Sequence, residues 1–153
     1  MHETTYINLY FSYSLGSISD STLAGVISVG THGTGFATGI IADYVLELRM
    51  IVPSGDIVTC SRDAQSELFL SALCGLGALG VILEVTLQCE PKFYLHQLTY
   101  PSTLEHVLNN LDEMVESCDH FRFLWFPHTD YVSVSVTNKI NGNFLQLTDR
   151  KST

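Results

Sequence analysis

The residues best suited to chemistry lie in one short run, Gly30-Thr31-His32-Gly33-Thr34-Gly35. Three glycines let the backbone turn sharply and approach a ligand closely. Successive N–H groups and the Thr31 and Thr34 hydroxyls are donors of the kind that phosphate or flavin carbonyl oxygens accept. The spacing is neither a dinucleotide GxGxxG nor a P-loop, so the pattern by itself leaves an ordinary glycine-rich turn open beside a ligand loop. His32 reads equally as a ligand-side residue and as a histidine that holds the loop from behind.

No other run carries a comparable signal. Cys60, Cys74, Cys89 and Cys118 are widely spaced, form no CxxC pair, and read as reduced core residues. The six histidines are scattered, and no metal site is expected. Sixteen acidic against seven basic residues give a formal charge of −9, a field that repels nucleic acid and anionic lipid. A dinucleotide stays compatible with that charge, because backbone N–H groups capture anions without net positive charge. With 46% hydrophobic residues the chain buries a core, and no run reaches the roughly 18 apolar residues of a membrane helix.

The elements that must position the glycine run follow from periodicity. Residues 1–20 have no clear pattern beyond a short strand around Ile7 to Phe11. Ser21 to Gly39 reads as a loop-rich binding segment without helix. Asp43 to Val52, the turn Pro53-Ser54-Gly55-Asp56 and the following IVTCS predict a hairpin. Asp63 is the expected cap of a helix through Leu68, Phe69 and Leu73 that stops at Gly75, Gly77 and Gly80, with Leu79 in the core. Val81 to Leu87 is β-branched and predicts a buried strand. A further strand over Lys92 to Tyr100 precedes the most regular helix, where Ser102 and Glu105 have capping-box spacing. Its Leu104, Val107, Leu108, Leu111, Met114 and Val115 recur on one face as far as Cys118. Phe121 to Phe126 and Tyr131 to Val136 pair as a hairpin around Pro127 to Asp130, and a frayed end follows Asn138. This order predicts an α+β architecture with a boundary at Glu90-Pro91.

Three motifs in order carry a resemblance. GVISVGTHGTG at 25–35, GALGVI at 77–82 and FRFLWFPHT at 121–129 together resemble the vanillyl-alcohol-oxidase, or PCMH-type, FAD flavoproteins, and within them the aldonolactone oxidases. The resemblance implies the second half of a PCMH-type FAD-binding domain, a mixed or antiparallel sheet with flanking helices, over 21–91 after an atypical lead segment at 1–20. The beginning of a substrate, or cap, domain would follow over 92–153. It implies FAD as cofactor, held by Ser21, Gly25, Gly30, Thr31, His32, Gly33, Thr34 and Gly35 along the pyrophosphate and flavin. Gly80, Val81 and Ile82 would meet the adenine, with Gly77 and Gly80 allowing close approach.

For the complete enzyme the resemblance implies oxidation of an aldono-1,4-lactone of the L-gulono or D-arabinono type with dioxygen, as in ascorbate biosynthesis, and association with the endoplasmic reticulum membrane. Phe121, Phe123, Trp125 and Phe126 are expected to pack the cap-domain sheet rather than touch substrate, and His128 to sit on a surface turn. The family's flavin-linking histidine has no match in residues 1–20, where His2 lacks the glycine-rich context. Its catalytic residues and C-terminal His-Trp-Gly-Lys motif have no counterpart here either. A fragment that binds FAD on one side without turnover is therefore expected. A non-catalytic nucleotide- or partner-binding remnant is the alternative.

Overall fold

A computed structural model describes residues 20–91 and 93–140. The expected strand around Ile7 to Phe11, like the polar stretch after Ile140, lies outside the described residues. Two compact units divide the chain between Glu90 and Pro91.

The first unit opens with a short helix, α1 (Leu23–Ser28), inside the segment expected to be free of helix. The correction has a local cause. Thr22 stands in extended geometry and its Oγ1 accepts the Gly25 N–H at 3.2 Å, so a six-residue helix starts despite its glycine. A 3-10 turn at Ile41–Tyr44 then leads into β1 (Val45–Ile51) and β2 (Ile57–Ser61), the expected hairpin, with Met50 opposite Val58.

Helix α2 (Ser66–Ala72) starts from Gln65, a non-glycine residue in left-handed geometry with no side-chain cap. Asp63 does not cap it: its N–H is turned back onto Ser61 Oγ, in the turn that leaves β2. Strand β3 (Val81–Leu87) pairs antiparallel with β1 on the side away from β2, giving the order β2-β1-β3. Among the described residues it stands at the sheet's edge, and Val81 is 64% exposed, so the expectation of a buried strand fails. Composition shows only that a strand is β-branched. How many neighbours it acquires is settled by pairing.

Alternation in β1 is interrupted between Val45 and Glu47, where its register against β3 shifts by one residue. The bulge reverses the parity of the strand. Val45, Leu48 and Met50 are consequently all buried while Leu46 faces out. These side chains surround Phe69 from α2, Ile27 from α1 and Cys60 from β2, all fully buried. Leu79 packs against this core as expected.

The second unit is a ladder of long strands. β4 (Tyr94–Thr103) pairs with β6 (Tyr131–Ile140), and β6 pairs with β5 (His120–Trp125), in the order β4-β6-β5. Strand β4 runs through Pro101, which lies opposite Ser133 and is tolerated because β4 has a free edge among the described residues. Ser102 is thereby held in the ladder opposite Val132, and the cap falls to Thr103, whose Oγ1 accepts the His106 N–H at 3.2 Å. The predicted single helix is two, α3 (Leu104–Asn109) and α4 (Leu111–Glu116), broken at Asn110. The Asn110 side-chain amide donates to the His106 carbonyl, competing with the helix's own bonding. Val107, Val132 and Val134 form the buried centre, with Leu104, Leu111, Met114, Phe121 and Phe123 against it. Leu108, expected on the buried face, is exposed.

Candidate functional site

The C-terminal end of α1 organises the site. Gly30 adopts φ +66°, the left-handed conformation that a side chain disfavours, and reverses the chain so that the Thr31 N–H reaches back to the Val26 carbonyl at 3.1 Å. The next two carbonyls of α1 find partners far along the chain. Ile27 O accepts from the Cys74 N–H at 3.1 Å and Ser28 O from the Leu76 N–H at 3.0 Å. All three terminal carbonyls are satisfied, and the glycine run at 30–35 is tied to the glycine cluster at 75–80. Two segments about forty-five residues apart in sequence therefore meet at one helix end. Cys74 and Leu76 hold positive φ without being glycine, so this connection carries backbone strain.

Beside the 75–80 cluster, under the end of α1, lies a crevice of about 10 Å³ lined by Ser28, Met50, Ala72, Gly77, Gly80 and Ile82 among others. It has room for one water at most. This crevice is far too small for a dinucleotide.

The expected contact residues divide into two groups. Gly30, Thr31, His32, Gly33, Thr34 and Gly35 form one irregular run on the surface, with His32 and Thr34 exposed. His32 Nδ1 lies 2.8 Å from the Gly33 carbonyl, so that nitrogen carries the proton and Nε2 is left as the outward atom. His32 is not a core residue; it braces its own loop. Ser21 and Gly25 sit instead at the start of α1, where the Gly25 N–H is already used by Thr22 and a Cβ would press on Thr22 Oγ1 at 2.9 Å. The glycine there serves the cap.

Gly80 has φ +147°, and a Cβ at that position would overlap the Ile51 carbonyl. Its need for glycine is explained by the closeness of β1, before any ligand is considered. Val81 is exposed and Ile82 partly buried against the core.

Two features of the site were not anticipated from sequence. One is the bonding of Cys74 and Leu76 to α1, which only the fold creates. The other is Asp43, whose carboxylate accepts the Ile40 N–H at 2.9 Å beside Gly39. Spacing of three residues between a turn start and an acidic side chain could have flagged it.

The cysteine expectation needs correction. All four are free, but only Cys60 is in the core; Cys118 is partly buried, Cys74 is exposed in a turn, and Cys89 is exposed just past β3. Burial pushes the Cys60 thiol above its usual range, and the nearby Glu47 carboxylate adds to it. Burial likewise raises Cys118. In the second unit Phe121 and Phe123 pack as expected, whereas Trp125 and Phe126 are about half exposed at the β5–β6 turn. Trp125 donates its ring N–H to the Thr129 carbonyl at 2.9 Å, and His128 is exposed with φ +66°. Among the described residues no cluster of histidine, cysteine and acidic groups could hold a metal ion, and no helix is long and apolar enough to cross a membrane.

The fold is that of solved cholesterol oxidase from Brevibacterium sterolicum, with a TM-score of 0.72 at 18% identity over 86% of this chain and 28% of that one. A family model for an FAD binding domain matches residues 2–61, and one for D-arabinono-1,4-lactone oxidase matches residues 85–153. L-gulonolactone oxidase of Bos taurus is 48% identical over 128 residues, which are 84% of this chain and 29% of that protein. D-arabinono-1,4-lactone oxidase of Yarrowia lipolytica is 36% identical over 76% of this chain and 22% of its own length. The chain thus spans less than a third of the relatives it matches. An FAD-binding match over residues 2–61 is followed in order by a lactone-oxidase match over 85–153, and the chain is similar over 84% of its own length to the aldonolactone oxidases.

Proposed function

We propose that the chain is the part of an FAD-dependent aldono-1,4-lactone oxidase that lies along one side of the cofactor. Residues 21–91 would complete the FAD-binding domain, and 92–153 would begin the substrate domain. The observation that carries this reading is the surface run at 30–35 fixed to the 75–80 turn through α1, on a chain whose two family matches are an FAD domain and a lactone oxidase. An anionic pyrophosphate suits such a surface despite the chain's acidity, because peptide N–H groups need no basic side chain.

The donor set fits part of FAD. Thr34 and the His32 ring are the groups we assign to it, with Gly33 and Gly35 shaping the turn that presents them. Gly80, Val81 and Ile82 offer backbone to the adenine end. Gly25 and Thr31 take part through the cap and the reversal that aim the loop, since their N–H groups are already bonded within the chain. Ser21 is exposed just ahead of the cap and completes the surface.

When bound, FAD supplies the ring that accepts a hydride from the lactone carbinol carbon and passes the electrons to dioxygen. The described residues bind and orient that ring, and none is assigned to the proton transfer. We further place the complete protein at the endoplasmic reticulum membrane, which fractionation of cells expressing it would test.

Titration of the purified chain with FAD tests the binding reading. Saturable uptake with a shifted flavin absorption band is expected, with no peroxide formed on adding L-gulono-1,4-lactone. A chain that leaves free FAD unperturbed would sink the proposal.

A further inference from the structure

The loop at 31–40 contains no helix or continuous strand, only an isolated β-bridge at Gly35 and a Thr38 hydroxyl donating to the Gly35 carbonyl at 3.2 Å, so its far end near Ile40 must be held by other bonds. Its neck is closed by the Ile41 N–H donating to the Thr31 carbonyl at 3.1 Å. Two residues further along stands Asp43. Its carboxylate accepts the Ile40 N–H at 2.9 Å, while its own N–H donates to the Ile40 carbonyl at 3.0 Å. Ile40 is held on both its polar groups by a single residue. The neighbouring Gly39 leaves the space in which the carboxylate sits: a Cβ there would overlap Asp43 Oδ2 and approach its Cγ to 3.0 Å.

Glycine at 39 is thus required by a carboxylate and not by backbone conformation, since its φ lies outside the left-handed region. Asp43 itself faces the loop from the turn that enters β1, whose Val45 and Leu48 are anchored in the core. The clamp therefore transfers the rigidity of the sheet to the glycine run.

We propose that Asp43, seated in the gap left by Gly39, is a positioning residue that fixes the 31–40 loop in its cofactor-receiving conformation. The inference rests on the FAD reading of that loop but adds a residue outside the contact set. What matters is a hydrogen-bond acceptor at this point, so the charge itself is dispensable.

The test uses amide hydrogen exchange and FAD titration on the purified chain. Asp43→Ala and Gly39→Ala should each speed exchange at the Ile40 and Ile41 amides by roughly tenfold and weaken FAD binding by roughly five- to tenfold. Asp43→Asn keeps an acceptor oxygen and should stay within about twofold of wild type in both readouts. Asp56→Asn, in the β1–β2 turn, is the control and should change neither. A purely structural role would lower the thermal midpoint of Asp43→Ala and Asp43→Asn alike without this split. Unchanged exchange in Asp43→Ala, or equal losses in Asp43→Ala and Asp43→Asn, would overturn the proposal. A wild-type chain that takes up no FAD would defeat the cofactor reading, and the exchange rates would then decide whether Asp43 orders the loop.

Discussion

The two units achieve order by different means. From 94 to 140 the second unit is held by a ten-residue antiparallel register between β4 and β6, with β5 continuing it on the other edge of β6. Its order is repetitive, and each residue's place follows from its neighbour's. In the first unit the segment from 21 to 43 has a six-residue helix, a 3-10 turn and a loop, each pinned by individual bonds: Thr22 to Gly25, Thr31 to Val26, Cys74 to Ile27, Asp43 to Ile40. A ladder tolerates loss of one rung. A loop fixed by single bonds does not.

The comparison can be broken most forcefully in the cores. Phe69→Ala removes a fully buried ring from the first unit and should cost about 3–5 kcal/mol, whereas Val134→Ala in the second should cost about 2 kcal/mol, both read from urea unfolding. A larger loss at Val134 would mean that the three-valine centre supports more than its own unit.

The glycine turn sharpens the same contrast on a smaller scale. Gly80→Ala forces a Cβ into the Ile51 carbonyl at φ +147° and should cost about 2–3 kcal/mol. Gly77→Ala, at φ +73° with open space around it, should cost only about 1 kcal/mol. Equal thermal shifts for the two would show that conformation, not closeness to β1, sets the requirement at 80. At the start of α3, Thr103→Ala should cost about 1 kcal/mol and Ser102→Ala less than about 0.5 kcal/mol, a difference visible in thermal midpoints.

The smallest expected effect concerns pH. Because burial raises the Cys60 and Cys118 thiols, the folded chain keeps protons that the unfolded chain releases above a pKa of about 8.5. Stability from this source is fully present below that pH and declines as pH rises through the folded thiols' higher values. Cys60→Ala should flatten the decline, measured against its own stability at neutral pH. Thiol labelling of the native chain should modify Cys74 and Cys89 first and Cys60 last. Early labelling of Cys60 would contradict its placement in the core.

Much of the architecture was legible because side-chain periodicity reports it. The β1–β2 hairpin with its Pro-Ser-Gly-Asp turn, the aromatic and alternating strands β5 and β6, and the glycine stop after α2 all follow from local pattern. Errors arose where one element's fate depends on another. Ser102 has the spacing of a cap yet is claimed by the β4–β6 ladder. Val81 to Leu87 looks like a buried strand yet has a single neighbour, β1, among the described residues. Leu46 shares the hydrophobicity of Leu48 but is turned outward by a bulge that only pairing with β3 creates. At the site, the run at 30–35 was visible as glycines and hydroxyls, and the family motifs attached a cofactor to it.

The sequence by itself thus determined where the chain must run as a glycine-rich turn, because glycine and threonine are limited locally in what they can do. Tertiary structure alone decided how that segment is held. The carbonyls of α1 are satisfied by Cys74 and Leu76, and the Gly80 backbone approaches Ile51, across gaps in sequence that no local pattern encodes. Hydrogen-bond satisfaction and close contact are conditions on neighbours in space, and those neighbours exist only once the chain has folded.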